Sequence, residues 1–311
     1  MRIIFMGSPD FAVPSLDILI QNGYDVVAVI TATDKMGGRG GKKLLKTPVK
    51  VHAEKHNIPV LQPKNLKNEA FIEELKSYKA DLQIVVAFRM LPVVVWDMPK
   101  HGTYNLHGSL LPKYRGAAPI NWAVINGDKE TGVTSFKLKH EIDTGDFLYQ
   151  RAMPIGEDET AGEVYEKMRF MGAEVILETI KAIESDDITL IAQDNTKVTK
   201  APKIYHETCQ IDWNQDVQIV YNFIRGMSPY PTAWTTLDDK QFNIIRCRME
   251  KSNIELEPKT VLSDRKSNMK IASKNGYILL DFIQLQGKRR MEIKDFLNGY
   301  KDGELIISSN L

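Results

Sequence analysis

The chain has 311 residues, enough for two domains that each bury a core. With 43% apolar residues, 26% charged residues and a net charge of +1, the composition is that of an ordinary globular protein and excludes a polycation that binds nucleic acid through its overall charge. The two cysteines, Cys209 and Cys247, lack the spacing of a disulfide framework or of metal ligands, so we expect no metal site and a reducing compartment. No apolar run approaches the ~20 residues of a membrane span, so we expect a cytoplasmic protein without a membrane contact.

The first half of the sequence alternates predicted strands and helices. A strand over 2–6 leads through Gly7-Ser8-Pro9-Asp10 into a helix over 11–22 and a strand over 25–31. This order, continued along the chain, predicts a mostly parallel sheet. The turn at Gly7 lacks the Gly-x-Gly-x-x-Gly pattern, so a nicotinamide cofactor has little support. Further strands are predicted at 58–61, 81–87, 103–107, 133–139 and 147–155, and further helices at 48–56, 68–78, 117–126 and 160–185.

A basic, glycine-rich loop follows the second strand, and no clear strand or helix pattern is present between residues 32 and 50. Such long loops are usually functional or disordered. A basic loop beside a reaction site favours contacts with the phosphates of a polyanion. A solvated surface loop is the alternative. The segment from Asp34 to Lys50 holds one acid, Asp34, against six basic residues: Lys35, Arg39, Lys42, Lys43, Lys46 and Lys50.

The candidate reaction centre lies on the strand predicted over 103–107. Asn105 and His107 are two residues apart, so their side chains project from the same face. Gly108 follows, which places His107 at the carboxyl end of the strand, where open α/β sheets bind ligands. An amide donor beside an imidazole can stabilise an oxyanion and move a proton. The alternative is a strand-end histidine with ordinary hydrogen bonds.

Two neighbouring segments are candidates for the same edge of the sheet. Phe88-Arg89-Met90-Leu91 leaves the carboxyl end of the strand over 81–87, where backbone groups can bind the edge of a flat heterocycle. The loop over 140–146 contains three acids. Solvated turn acids are the ordinary interpretation, but Asp143, between Ile142 and Thr144-Gly145, is the best candidate to point inward.

The chain changes character after residue 188. We predict a catalytic domain over 1–188, an extended linker over 189–206 and a second domain over 207–311. In the second domain a helix over 214–225 is followed by short alternating strands, which is typical of a small antiparallel β-barrel. Those strands are predicted at 233–237, 242–249, 260–263, 269–272 and 277–285.

These motifs together resemble one family along almost the whole chain, the methionyl-tRNA formyltransferases of the folate-dependent formyltransferase superfamily. The superfamily is marked by Asn105-Leu-His107, Ser109-Leu110-Leu111-Pro112 and Asp143-Thr-Gly145, and the basic loop and the second domain narrow it to the tRNA enzyme. Supporting segments are Phe-Met-Gly-Ser-Pro-Asp-Phe-Ala-Val-Pro at 5–14, Ala-Pro-Lys-Ile at 201–204, Ile-Asp-Trp at 211–213 and Ser-Pro-Tyr-Pro-Thr-Ala-Trp at 228–234.

The resemblance implies a Rossmann-like catalytic domain, an OB-like tRNA-binding domain, and a monomer that transfers a formyl group from 10-formyltetrahydrofolate to initiator methionyl-tRNA without a metal. The implied catalytic residues are Asn105, His107 and Asp143. Asn105 would donate a hydrogen bond to the oxyanion, His107, when protonated, would do likewise, and Asp143 would orient His107 and relay the amine proton. Implied folate contacts are Ser109, Leu110, Leu111, Pro112 and the backbone of Phe88, Arg89, Met90 and Leu91; implied tRNA contacts are Arg39, Lys42, Lys43 and Lys46.

Two other functions remain open at this point. A sugar-nucleotide amine N-formyltransferase would share the three catalytic residues but would not need the basic loop. A non-enzymatic RNA-binding protein with a Rossmann-like domain and a barrel would give no reason for Asn105, His107 and Asp143 to occur together with Ser-Leu-Leu-Pro.

Overall fold

The computed structural model describes residues 1–38, 40–253, 256–300 and 305–307 of the chain. Short 3-10 helices occupy Asp10–Ala12, Asn195–Lys197 and Glu207–Cys209. The α-helices in these residues are α1 (Val13–Gln21), α2 (Pro48–Lys55), α3 (Glu69–Ser77), α4 (Val93–Trp96), α5 (Pro119–Ile125), α6 (Ala161–Glu184), α7 (Val217–Gly226) and α8 (Ile293–Gly299). The strands are β1 (Arg2–Gly7), β2 (Asp25–Ile30), β3 (Lys35–Gly37), β4 (Lys43–Leu45), β5 (Val60–Leu61), β6 (Leu82–Val86), β7 (Thr103–His107), β8 (Arg115–Gly116), β9 (Glu130–Lys137), β10 (Phe147–Pro154), β11 (Lys200–Ala201), β12 (Ala233–Leu237), β13 (Lys240–Lys251), β14 (Val261–Ser263), β15 (Met269–Ser273), β16 (Gly276–Leu285) and β17 (Met291–Glu292).

The chain divides into two compact units. The first comprises residues 1–119, 131–153 and 165–200. The second comprises residues 120–130, 154–164 and 201–311.

The first unit is built on a seven-stranded sheet in the order β10-β9-β7-β6-β1-β2-β5. The five strands from β7 to β5 are parallel, and β9 runs antiparallel to β7. Ile3, Ile4, Phe5 and Met6 in β1 are fully buried. A continuous apolar run of this kind is what a parallel strand with both faces covered requires. The prediction of a mostly parallel sheet is confirmed.

Two helices of this unit begin at residues whose side chains cap them. The Thr47 hydroxyl accepts a hydrogen bond from Lys50 N, with Pro48 at the first helical position of α2. The Asn68 side chain accepts one from Phe71 N at the start of α3. Both satisfy backbone N–H groups that have no partner inside the helix, so α2 and α3 begin within one residue of their predicted starts.

The prediction that residues 32–50 lack regular structure is wrong. Strands β3 and β4 pair as an antiparallel hairpin in which Met36 lies opposite Leu44. Its turn is made by glycines with positive φ, Gly38 and Gly41, and Gly41 N donates to Gly38 O at 3.0 Å. Three-residue strands are too short to show a period in the sequence, and the glycines allow the chain to reverse where other residues would be strained.

The second unit contains a six-stranded antiparallel sheet in the order β12-β13-β16-β15-β14, with β17 paired to β16. Its core includes Trp213, Phe242 and Phe296, all less than 5% exposed. The prediction of an antiparallel domain after the parallel one is confirmed. Within the described residues, no helix has both the length and the apolar character needed to cross a membrane.

Candidate active site

The candidate site lies at the carboxyl end of β7. His107 is the last residue of this strand and is 7% exposed, and Asn105, one pleat earlier, is half-buried. Strand β7 lies between β6 and β9, with Asn105 opposite Val85 and Phe136. The amide and the imidazole therefore project from one face at the edge where a parallel sheet binds its ligands.

The imidazole of His107 is held by groups on both sides. Nε2 lies 2.8 Å from the carbonyl oxygen of Tyr114, which can only accept, so Nε2 carries the hydrogen and donates it. Nδ1 faces the Asp143 carboxylate, 3.8 Å from Oδ2. That distance is too long for a hydrogen bond but within the range of an ion pair. Nδ1 is therefore the ring nitrogen that remains for chemistry.

The Asp143 carboxylate is directed toward His107 by the backbone around it. Its φ is +55°, a left-handed conformation that aspartate tolerates better than most residues. Oδ2 accepts a hydrogen bond from Gly116 N at 2.9 Å, and the side chain is 12% exposed. The other two acids of the loop differ, since Glu141 is exposed and Asp146 pairs with Lys139 at 2.8 Å. The structure thus brings His107 and Asp143 together.

Gln193 and Arg115 support this loop and were missed by the sequence analysis. The Gln193 amide donates to the carbonyl oxygens of Asp143 at 2.8 Å and Gly145 at 2.7 Å. Its oxygen accepts from the Arg115 guanidinium at 2.7 and 3.1 Å. Gln193 is 50 residues from Asp143 in the sequence and lies in the segment predicted as a linker, so no local pattern indicates the contact.

The segment 109–112 is fixed by buried hydrogen bonds. Ser109 is fully buried and its hydroxyl donates to the Lys113 carbonyl at 2.6 Å. Thr134 Oγ1 donates to Ser109 O at 2.6 Å and accepts from Leu111 N at 3.1 Å. Leu111 is 2% exposed, whereas Leu110 and Pro112 are half-buried. The Ser109 hydroxyl therefore holds the turn, and Leu110 and Pro112 are the members of this motif that solvent reaches.

The segment 88–91 leaves β6, the parallel neighbour of β7, at the same edge of the sheet. No backbone N–H from Phe88 to Leu91 donates to a backbone carbonyl of the described residues. Arg89 anchors the segment, since one guanidinium nitrogen donates to Lys64 O at 3.0 Å and another to Pro63 O. Met90 is 73% exposed and Leu91 is 8% exposed. The backbone donors are thus available beside the candidate site.

The described basic residues between Asp34 and Lys50 fall into two groups. Lys46 and Lys50 are paired with acids, Lys46 with Glu54 at 2.7 Å and Lys50 with Asp34 at 2.6 Å. Lys35, Lys42 and Lys43 are exposed, and none of them forms an ion pair with another described residue. Arg39 lies outside the described residues.

The comparisons with known proteins agree along the chain. The family described as formyl transferase matches residues 1–180, and the formyl transferase C-terminal domain matches residues 203–301. The methionyl-tRNA formyltransferase of Parabacteroides distasonis is 51% identical over 311 residues, which cover 97% of this chain and 96% of that relative.

Two solved structures share the fold at low identity. HypX from Aquifex aeolicus, solved in complex with tetrahydrofolic acid, matches with a TM-score of 0.68 and 20% identity over 97% of this chain and 48% of its own, so this chain spans about half its length. WlaRD, a sugar 3N-formyl transferase, matches with a TM-score of 0.67 and 19% identity over 93% and 99% of the two chains. The resemblance predicted from the motifs is confirmed by the 51% identical relative. The chain therefore belongs to the formyl transferase family, whose two domain models match residues 1–180 and 203–301.

Proposed function

We propose that this chain transfers the formyl group of 10-formyltetrahydrofolate to the amino group of initiator methionyl-tRNA, as a cytoplasmic monomer and without a metal ion in the reaction. The main support for this proposal is the 51% identity to a methionyl-tRNA formyltransferase across 97% of the chain. The sugar-nucleotide amine N-formyltransferase is not favoured, because the identity to WlaRD is only 19%. The product is N-formylmethionyl-tRNA, the form used in translation initiation.

The reaction forms one C–N bond and breaks another. The neutral amine of the methionyl group attacks the formyl carbon and gives a tetrahedral intermediate with an oxyanion. The bond from that carbon to N10 then breaks, N10 takes up a proton, and the amine nitrogen loses one. The Asn105 amide, half-buried on the edge of β7, donates a hydrogen bond to the oxyanion. Removing one donor of this kind typically costs about 2.7–4 kcal/mol of transition-state stabilisation.

His107 and Asp143 accept and transfer the proton that the amine loses. The Tyr114 carbonyl fixes the ring of His107, so Nδ1 is the nitrogen that gains and returns a proton. Asp143 Oδ2, 3.8 Å away, pairs with the ring when it is charged and relays the proton from the amine. The hydrogen bond from Gly116 N keeps that carboxylate in place during the exchange.

The folate ring is proposed to bind along residues 88–91. The backbone N–H groups there are not used by the described backbone carbonyls, which suits a flat heterocycle with hydrogen-bonding edges. Leu110 and Pro112, half-buried at the end of β7, supply apolar contact. Ser109 and Leu111 act through the buried hydrogen bonds that shape this turn.

The tRNA is proposed to contact the β3–β4 hairpin, chiefly through Arg39, Lys42 and Lys43. Lys42 and Lys43 are exposed and have no acidic partner in the described residues. Lys46 contributes less, because Glu54 neutralises it. The charge available to phosphates is thus concentrated near the turn of the hairpin.

A substrate comparison tests the activity. Purified protein and 10-formyltetrahydrofolate are incubated in separate reactions with one acceptor each: methionyl-tRNA, uncharged tRNA or an amino-sugar nucleotide. The formylated product is measured in each reaction. Of the three acceptors, we expect only methionyl-tRNA to be formylated. In the His107→Ala variant this formylation should be almost completely lost. Turnover only with the amino-sugar nucleotide would refute the proposal, and full activity of His107→Ala would refute the catalytic assignment.

The salt dependence of tRNA binding tests the hairpin. Neutralising Arg39, Lys42 and Lys43 to glutamine should reduce the slope of log affinity against log salt by about 0.7 for each single-stranded phosphate that the variant no longer binds. Folate binding should be unchanged. The control replaces Lys76, Lys79 and Lys181, exposed lysines of the same unit. Equal slopes for both triple variants would exclude the hairpin as the main tRNA-binding element.

A further inference from the structure

A cluster of metal-ligating side chains lies away from the candidate active site, on helices α1 and α2. His52 lies on α2 and His56, four residues later, caps the C-terminus of that helix, so the two rings are neighbours on one face, and Asp17 comes from α1. One ligand atom from each residue lies within 4.8 Å of the other two. His52 and Asp17 are half-buried and His56 is exposed. We propose that Asp17, His52 and His56 bind one divalent transition-metal ion of the zinc class.

The spacing of the three side chains suits such an ion. Zinc bonds to histidine nitrogen and carboxylate oxygen are about 2.0–2.2 Å, so ligand atoms at the corners of a tetrahedron are about 3.3–3.5 Å apart. His52 Nε2 is already 3.0 Å from Asp17 Oδ1, and the two imidazole centroids are 4.8 Å apart. Binding would require side-chain rotations that bring the three atoms, now within 4.8 Å of one another, to this spacing.

His52 gives an independent indication. Its Nε2 is buried and lies 3.0 Å from Asp17 Oδ1, without meeting the geometry of a well-formed hydrogen bond. A buried nitrogen without a hydrogen-bond partner is costly, and a metal ion between the ring and the carboxylate removes that cost. This contact between the ring and the carboxylate is the position that a metal ion would occupy.

The surroundings orient the carboxylate as metal sites require. Gln21, one turn along α1, donates from Nε2 to Asp17 Oδ2 at 2.5 Å, which leaves Oδ1 facing His52. Hydrogen bonds to the second oxygen of a ligand are typical of protein metal sites. Two imidazoles and one carboxylate favour zinc, nickel or copper over magnesium and calcium, which prefer oxygen ligands. The fourth position would be taken by water, because His56 lies at the surface.

Calorimetric titration with zinc chloride tests the site, on untagged full-length protein treated with a chelator and dialysed. We expect one equivalent to bind and the midpoint of thermal unfolding to rise. His56→Ala, an exposed change that should not disturb folding, and Asp17→Asn should each weaken zinc binding by at least about tenfold, the lower range of losses at metal sites. His101→Ala, outside the cluster, is the control and should bind as the parent does.

Three results would overturn the proposal. They are no saturable binding of zinc, nickel or copper, a stoichiometry well above one with no change in His56→Ala, and equal loss of affinity in His101→Ala. The Cu²⁺ complex adds a spectroscopic measure, since its electron paramagnetic resonance spectrum should show coupling to two nitrogens that falls to one in His56→Ala. None of these measurements depends on formyl transfer.

Discussion

Replacement of Asp143 by asparagine separates the charge of this side chain from its shape. Asparagine is nearly isosteric and tolerates the φ of +55° at this position, which alanine would not. Its side-chain oxygen can still accept the hydrogen bond from Gly116 N, 2.9 Å away in the parent. What it loses is the negative charge 3.8 Å from His107 Nδ1 and the ability to accept a proton.

The Asp143→Asn substitution should cost more transition-state stabilisation than folding stability. A positioned general base contributes about 10²–10⁴ in rate, which corresponds to about 2.7–5.4 kcal/mol. The structural loss is that of replacing a hydrogen bond to a charged acceptor by one to a neutral acceptor, about 1 kcal/mol. We therefore expect kcat/KM for methionyl-tRNA formylation to fall at least about 100-fold while the protein stays folded.

The measurement is a single-turnover formylation assay with saturating folate, accompanied by urea unfolding of the same preparation. Asp146→Asn is the matched control, because this acid belongs to the same loop but pairs with Lys139 near the surface. An exposed pair of that kind contributes at most about 1 kcal/mol, so the control should keep near-parental activity. Equal rates for Asp143→Asn and the parent, or equal loss in Asp146→Asn, would refute the role of Asp143.

Three further changes test the supporting structure. Gln193→Ala should lower formylation by about tenfold or more with little change in folate affinity, because misplacing a catalytic group is costly in rate, and a proportional loss of folate binding would contradict this. Gly145→Ala should prevent folding or destabilise the protein by more than about 4 kcal/mol, because the added Cβ would lie 1.7 Å from the Lys137 carbonyl oxygen. Gly299→Ala, whose added Cβ meets no described atom outside its own helix and chain neighbours within 4 Å, should be at least as stable as the parent in urea. Hydrogen bonds from the Lys50 ammonium and the Gln62 amide lower the pKa of the Asp34 carboxyl group in the folded protein. The contribution of Asp34 to the free energy of unfolding should therefore be complete above the ordinary carboxyl pKa and should be lost as the pH falls through the lowered, folded-state pKa. The difference in unfolding free energy between the parent and Asp34→Asn should accordingly stay constant from pH 7 to about pH 5 and shrink only below about pH 4, as measured by denaturant titrations across that range; a difference that shrinks near neutral pH would contradict this.

Much of the architecture was predictable because it depends on local chain physics. The buried run in β1, the capped starts of α2 and α3 and the alternation in β12 are each encoded within a few residues. These patterns predicted the parallel sheet and the antiparallel unit in the right order. The β3–β4 hairpin was missed, since strands of three residues are too short to show the repeated alternation by which a strand is identified.

The amino-acid sequence by itself determined which residues are chemically able to act, and it placed Asn105 and His107 on one face through the two-residue repeat of a strand. The tertiary structure alone decided which nitrogen of His107 is free, because the Tyr114 carbonyl engages Nε2. It also decided that Gln193 supports the loop of Asp143 across 50 residues of sequence. Such contacts depend on where the folded chain returns to itself, and no local pattern of residues carries that information.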